Sequence, residues 1–342
     1  MMVWRPALAA VVALAGSTAS SAEEARTASN TTVEIAPGVS MPYASDGVIL
    51  DNKTSGEIKG LELWLELGGR GIDTAWSYHN QPLVGAAVRR EKSALRKEVF
   101  VTTKIECMGT AEAAYEAIKR DLRQLGLPYV DLVLIHAPFM GYGEPYSNCS
   151  IGPSGAAARQ ATWKGMETAV ADGLTRAIGL SNFNVEYMTE ILSGATIPPA
   201  VNQCCLCVGY RQNESIAFAR KHGITYQAYS PLGGKDIGGT SVLDYPQLKA
   251  IAGRLGKSTA QVALRWLVQA GHPFVTATGR QDYIEEDLGI FEFALEPADM
   301  AALDAINLPM PADCHPSPQA AATAATDRVI SGSSLPNKYI RL

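Results

Sequence analysis

Residues 99–137 read VFVTTKIECMGTAEAAYEAIKRDLRQLGLPYVDLVLIHA, and the spacing of their apolar side chains changes twice. Residues 99–105 and 130–137 are short β-branched runs of strand length, while residues 111–125 between them show helical spacing. Strand, helix and strand in one short stretch make the repeating unit of a parallel sheet. The alternation recurs outward in both directions. Strand-like runs lie at 48–50, 71–75, 175–181, 200–206, 225–229 and 273–277, and helical patterns at 57–67, 82–94, 157–171, 185–193, 214–222 and 258–270. Eight strands and seven intervening helices predict an α/β chain folded as one (β/α)8 TIM barrel. Two apolar segments at 32–36 and 40–43, joined by Pro37-Gly38, predict a short hairpin ahead of it.

Composition narrows the class. Of 342 residues 47% are apolar and 18% charged, which excludes a disordered chain. Lys and Arg total 29 against 34 Asp and Glu, a formal charge of −5, so the basic surface of a nucleic-acid binder is missing and a small-molecule partner is expected. Residues 1–6 carry Arg5, 7–16 are apolar and 17–22 are small, the three-part layout of a secretory signal peptide. The apolar run is too short to span a bilayer. The expected organisation is a cleavable signal at 1–22 and a single barrel domain over 23–342, with a variable C-terminal tail from about 309. Sequons at Asn30, Asn52, Asn148 and Asn213 favour the secretory route, to the ER lumen, the exterior or an organelle. Without a working signal the chain would be cytoplasmic. Six cysteines are scattered through the chain; Cys204, Cys205 and Cys207 lie in an apolar run and are expected to be buried free thiols. No metal-ligand spacing accompanies them, so no metal is predicted.

Chemistry is expected where polar residues interrupt the strands, because barrel active sites collect at the strands' C-terminal ends. Asp73 ends one run with Tyr78 in the loop beyond, Lys104 interrupts the next and His136 closes the third. A buried lysine needs a counter-ion, and Asp73 is the natural one. A tyrosine beside that cation has its phenolate favoured, which suits it to proton transfer. Trp76, two residues before Tyr78, is a candidate wall of an apolar pocket. No Gly-x-Gly-x-x-Gly follows a strand, so a doubly wound dinucleotide fold is not indicated.

The stretch Gly71-Ile72-Asp73-Thr74-Ala75-Trp76-Ser77-Tyr78-His79-Asn80 resembles the signature G-x-x-x-D-T-A-x-x-Y-x-N/E of the aldo-keto reductases. Val101-Thr102-Thr103-Lys104, Asp131 through His136, Ala177 through Phe183, Val201-Asn202-Gln203 and Ala228 through Gly233 match further family motifs in order. The resemblance covers roughly residues 40 to 308. It implies an NAD(P)H-dependent oxidoreductase that interconverts aldehydes or ketones and alcohols. Tyr78 would be the general acid, Lys104 and Asp73 would tune it, and His136 would orient the carbonyl. Ser181, Asn182 and Gln203 would hold the nicotinamide carboxamide, Tyr229 would stack on the ring, and Ser230 and Leu232 would begin the pyrophosphate loop. Arg280 and Glu286 would serve the adenine end.

The family's P-K-S and R-x-x-E-N are altered here to Thr276-Ala277-Thr278 and Tyr283-Ile284-Glu285-Glu286-Asp287. Two cations for the 2′-phosphate are thereby lost, so the implied cofactor is NADP(H) with little preference over NAD(H). The alternative is a catalytically weak or inactive barrel serving as a binding or regulatory protein. A core Lys104 with its counter-ion has no use in such a module.

Overall fold

The computed structural model describes residues 31–48, 56–91, 95–139, 148–150, 152–233 and 242–308. A hairpin of β1 (Thr32–Ala36) and β2 (Val39–Pro42) comes first, turning at Gly38 with φ of 70°. Eight parallel strands then close a barrel in sequence order: β3 (Ala44–Gly47), β4 (Gly71–Asp73), β5 (Phe100–Ile105), β6 (Val130–Ile135), β7 (Thr175–Ser181), β8 (Val201–Cys205), β9 (Thr225–Tyr229) and β10 (Phe274–Thr276). Between them run α1 (Gly56–Glu66), α2 (Gln81–Arg90), α3 (Ala111–Leu125), α4 (Ala156–Ala171), α5 (Val185–Gly194), α6 (Asn213–Lys221), α7 (Pro246–Leu255) and α8 (Thr259–Gln269). After β10 come α9 (Gln281–Leu288) and α10 (Pro297–Asp304). Among the described residues no helix is long and apolar enough to cross a membrane.

Most strand residues are buried on both faces of the sheet, which is why several of the runs read as continuous. Val101, Val133 and Ile178 join the large core beneath the helices, whereas Phe100, Leu132 and Ala177 pack with Ile35, Val39 and Met41 of the hairpin. The hairpin thus stoppers the N-terminal end of the barrel. Arg176 fastens it, donating to the Gly38 carbonyl at 3.0 Å while pairing with buried Asp131 at 2.9 Å. The other Asp131 oxygen takes Arg96 at 2.9 Å, so this carboxylate is compensated by two cations. The C-terminal mouth lies at the opposite end of the barrel from the hairpin.

Two expectations are corrected. The first barrel strand is not 48–50 but Ala44–Gly47, with Val48 just past its end and residues 49 and 50 outside the described residues. Ser45 and Asp46 hide this strand from a search for apolar runs, yet the ladder forms because Gly71 opposite has no Cβ: one built there would lie 2.3 Å from the Ser45 hydroxyl. Cys204 and Cys207 are buried free thiols, but Cys205 is disulfide-bonded. Its apolar setting mimicked that of its neighbours, and burial alone does not separate a thiol from a half-cystine. The signal segment at 1–22, the sequons at Asn30 and Asn52, and the tail from 309 lie outside the described residues.

Candidate active site

Three neighbouring strands deliver the central cluster. Asp73 closes β4 and Lys104 sits on β5; both are 1% exposed, and the ammonium is ion-paired to Asp73 Oδ1. Asp73 Oδ2 accepts from Gln203 Nε2 on β8 at 2.7 Å. Lys104 Nζ also donates to the Thr74 carbonyl at 3.5 Å and to the Tyr78 hydroxyl at 3.4 Å. Tyr78 ends a single 3-10 turn, Trp76–Tyr78, inserted between β4 and α2. His79 terminates the turn in the left-handed region, with φ of 56°. Buried polar contacts brace it: Thr74 Oγ1 donates to Asn80 Oδ1 at 2.7 Å, and Asn80 Nδ2 donates to the Val48 carbonyl. His136 follows β6, its backbone N–H held by the Ile105 carbonyl at 2.8 Å. Its Nε2 lies 3.4 Å from the Tyr78 hydroxyl and the two rings meet edge to face, centroids 5.4 Å apart. The structure therefore brings Asp73, Lys104, Tyr78 and His136 together in one cluster.

A second group extends from it across the mouth. Ser181 Oγ donates to the Gln203 carbonyl at 2.9 Å. Asn182, held at φ of 65°, donates from Nδ2 to the His136 carbonyl at 3.0 Å and accepts the Tyr229 hydroxyl at Oδ1, 2.9 Å away. Gln203 Nε2 also reaches Gln227 Oε1 at 2.9 Å. Beyond β9, Ser230 adopts φ of 52°, and its buried hydroxyl has no hydrogen-bond partner among the described residues. A left-handed serine with an unanswered hydroxyl costs a few kcal/mol at a ligand-free surface, roughly, and is repaid where an anion accepts that hydrogen. This donor set fits a nicotinamide dinucleotide: amide and hydroxyl groups for the carboxamide, the Tyr229 ring beside them, and the Ser230 hydroxyl for a phosphate. Leu232 is half-buried two residues further on.

The Aldo/keto reductase family matches residues 50–308. The chain belongs to this family. An aldo-keto reductase of Mycolicibacterium vanbaalenii is 36% identical over 244 residues, spanning 71% of this chain and 80% of its own. The glyoxal reductase of Bacillus subtilis is 34% identical over 278 residues, 81% of this chain and 92% of its own. Among solved structures, an aldo-keto reductase complexed with NADPH superposes with a TM-score of 0.74 at 28% identity, covering 84% of this chain and 92% of that one. NADP(H) is the cofactor of the family.

In this aldo-keto reductase Arg280 and Glu286, which were expected at the adenine end, are both engaged within the protein. Arg280 is exposed, but its guanidinium is committed to Asp282, with Nε 3.0 Å from Oδ1, and lies 3.9 Å above the Tyr283 ring. The Glu286 carboxylate accepts from Ser258 Oγ at 2.8 Å, which ties α9 to the start of α8. Buried Asp46 lies close enough to Asp287 and Asp73 to feel their charges. Burial, with the charges of Asp287 and Asp73, pushes the Asp46 carboxyl up to about 8. Trp76 is half-buried at the mouth, with the Arg120 guanidinium 4.1 Å above its ring.

Sequence reasoning missed three features of the site. Ser77 Oγ lies 3.3 Å from His136 Nδ1, and Gln227 partners Gln203; the only sequence signal for Gln227 was an amide inside the strand TYQAY. A disulfide joins Cys107, just past β5, to Cys149, both buried. Thr162 on α4 accepts the Met108 and Gly109 N–H groups at 3.1 and 3.0 Å beside it. The β5 loop is thereby held from two sides. Among the described residues no His, Cys, Asp and Glu side chains group as metal ligands.

Proposed function

We propose that this aldo-keto reductase is an NAD(P)H-dependent enzyme reducing aldehydes or ketones to alcohols, with Tyr78 as general acid. The linked residues Asp73, Lys104, Tyr78 and His136 at the barrel mouth, the first two buried and the last two half-buried, carry the reading. A bound nicotinamide would supply the hydride for the carbonyl carbon. Tyr78 gives its proton to the carbonyl oxygen as charge develops there. The Lys104 ammonium, an obligate donor, steadies the phenolate left behind, and Asp73 holds that ammonium in place. His136 donates from Nε2 to the same oxygen, so two preorganised donors meet the growing charge. Asp73 is the counter-ion that lets the Lys104 ammonium sit in the core, and removing either partner would cost about 3 to 5 kcal/mol.

Ser181, Asn182 and Gln203 would hold the carboxamide, Tyr229 would lie against the ring, and Ser230 with Leu232 would meet the pyrophosphate. Glu286 and Arg280 lie at the adenine end. With Arg280 engaged by Asp282 and the family's Lys and Arg positions occupied by Ala277 and Tyr283, NADP(H) is bound with little or no preference over NAD(H). The Cys107–Cys149 disulfide, Cys205 and exposed sequon residues Asn148 and Asn213 support maturation in an oxidising compartment. The test is NADPH oxidation with a panel of small aldehydes by the wild type and Tyr78→Phe. Both proteins are expected to bind NADPH, and the variant to lose about 100- to 10,000-fold in kcat. Equal rates, or a folded wild type that never oxidises NADPH, would overturn the proposal.

A further inference from the structure

We propose that Cys205 is bonded to Cys314, in a disulfide that fastens the chain beyond Leu308 to the rim of the barrel beside Tyr229. The protein has 6 cysteines. Cys107 is joined to Cys149, Cys204 and Cys207 are free thiols, and Cys205 is disulfide-bonded. Cys314, which lies outside the described residues, is the one partner this count leaves within the chain.

The placement of Cys205 agrees with that count. Successive residues of a strand face opposite sides of the sheet. Cys204 packs into the large core beneath the helices, whereas Cys205, the last residue of β8, joins Cys207, Tyr210 and Val242, with Tyr229 and Leu308 packed against them. Cys205 also stands opposite Tyr229 in the β8–β9 ladder. Leu308 arrives from α10, and its N–H donates to the Gly209 carbonyl at 2.8 Å, so the chain already lies against the Cys205 cluster at position 308. Cys314 follows six residues later, and six residues fully extended span at most about 21 Å. Cys205 is therefore within its reach without any movement of α10. Joining the two thiols forms one S–S bond and releases two protons and two electrons, which a disulfide-bearing oxidant takes up as it becomes a pair of thiols. The free thiols nearby do not displace the bond. Burial pushes Cys204 up to about 11 and Cys207 up to about 12, and it is the thiolate, not the thiol, that attacks a disulfide. The bond closes a loop that takes in β9, β10 and helices α6 to α10, and so removes freedom from the unfolded chain.

The test is tryptic mapping of the full chain, equilibrated with oxidised and reduced glutathione, then denatured without reductant and labelled with iodoacetamide. Residues 177–211 are expected to be linked to residues 281–328, with the label on Cys204 and Cys207. Cys204→Ala is expected to keep the link and Cys205→Ala to lose it. Cys314→Ala is expected to raise the number of labelled cysteines from two to three and to unfold at a lower denaturant concentration than the wild type. Unlinked peptides, a link through Cys204 or Cys207, or a covalent dimer through Cys205 overturns the proposal, and the wild-type map decides this even if a variant fails to fold. Equal unfolding midpoints for the wild type and Cys314→Ala overturn the claim that the bond fastens the folded rim. None of these readouts uses turnover, so their failure leaves the reductase reading standing.

Discussion

Asp73, Lys104 and His136 were visible in the sequence because each breaks an apolar strand where a core residue should be. Their roles depend on one another, and the 3.4 Å spacings around the Tyr78 hydroxyl supply what the sequence could only suggest. The contact between Ser77 and His136 was not legible, since a serine in a turn is ordinary and its partner lies 59 positions away. Asp46 was hidden for the same reason: its acidic neighbour Asp287 arrives from α9. Because the folded state keeps a proton on Asp46 up to about pH 8 while the unfolded chain releases it near 3.8, unfolding loses a proton between those values. Stability should therefore fall as pH rises through that window, by at most about 1.4 kcal/mol per pH unit from this group. Urea unfolding at pH 5 and pH 8 should show a steeper decline for the wild type than for Asp46→Asn, which cannot ionise. Equal declines would contradict the raised carboxyl.

At the scale of elements, regular βα units were legible and irregular ones were not. The helix at Ala111–Leu125 matches its expected bounds, since Thr110 caps it through the Ala113 N–H and Gly126 ends it in the left-handed region. Helices α7, α9 and α10 escaped notice: they are 8 to 10 residues long, and two of them begin at a proline that reads as a loop. Close approach between elements was equally hidden. A Cβ at Gly85 on α2 would fall 1.7 Å from the Leu125 carbonyl of α3, so Gly85→Ala should force the helices apart and cost about 1 to 3 kcal/mol. That outweighs the gain in helix propensity of about 1 kcal/mol. Thermal unfolding checks the sign. The Cys107–Cys149 bridge, spanning 42 positions, should contribute roughly 4 kcal/mol through its loop, read as the drop in denaturant midpoint of Cys107→Ala/Cys149→Ala.

Across the whole molecule, the barrel follows from alternation alone, while its orientation of use follows from the hairpin. Ile35, Val39 and Met41 pack across the N-terminal end, and Arg176 anchors the turn, while the polar cluster lies at the C-terminal mouth. The sequence announced the hairpin but not what it closes. At the far rim, Arg280 is paired with Asp282, and α9 carries further acidic residues. Fluorescence titration should give dissociation constants for NADPH and NADH within about tenfold of each other, about 1.4 kcal/mol. A preference for NADPH of a thousandfold would mean that other residues grip the 2′-phosphate.

The most direct measurement uses NADPH deuterated at both C4 positions, with an aldehyde the enzyme reduces and the alcohol analysed by mass spectrometry. Hydride transfer into the mouth predicts one deuterium on the carbinol carbon for each NADPH oxidised, and none above background with Tyr78→Phe. Alcohol formed without deuterium, or label transferred equally well without the Tyr78 hydroxyl, would contradict the mechanism.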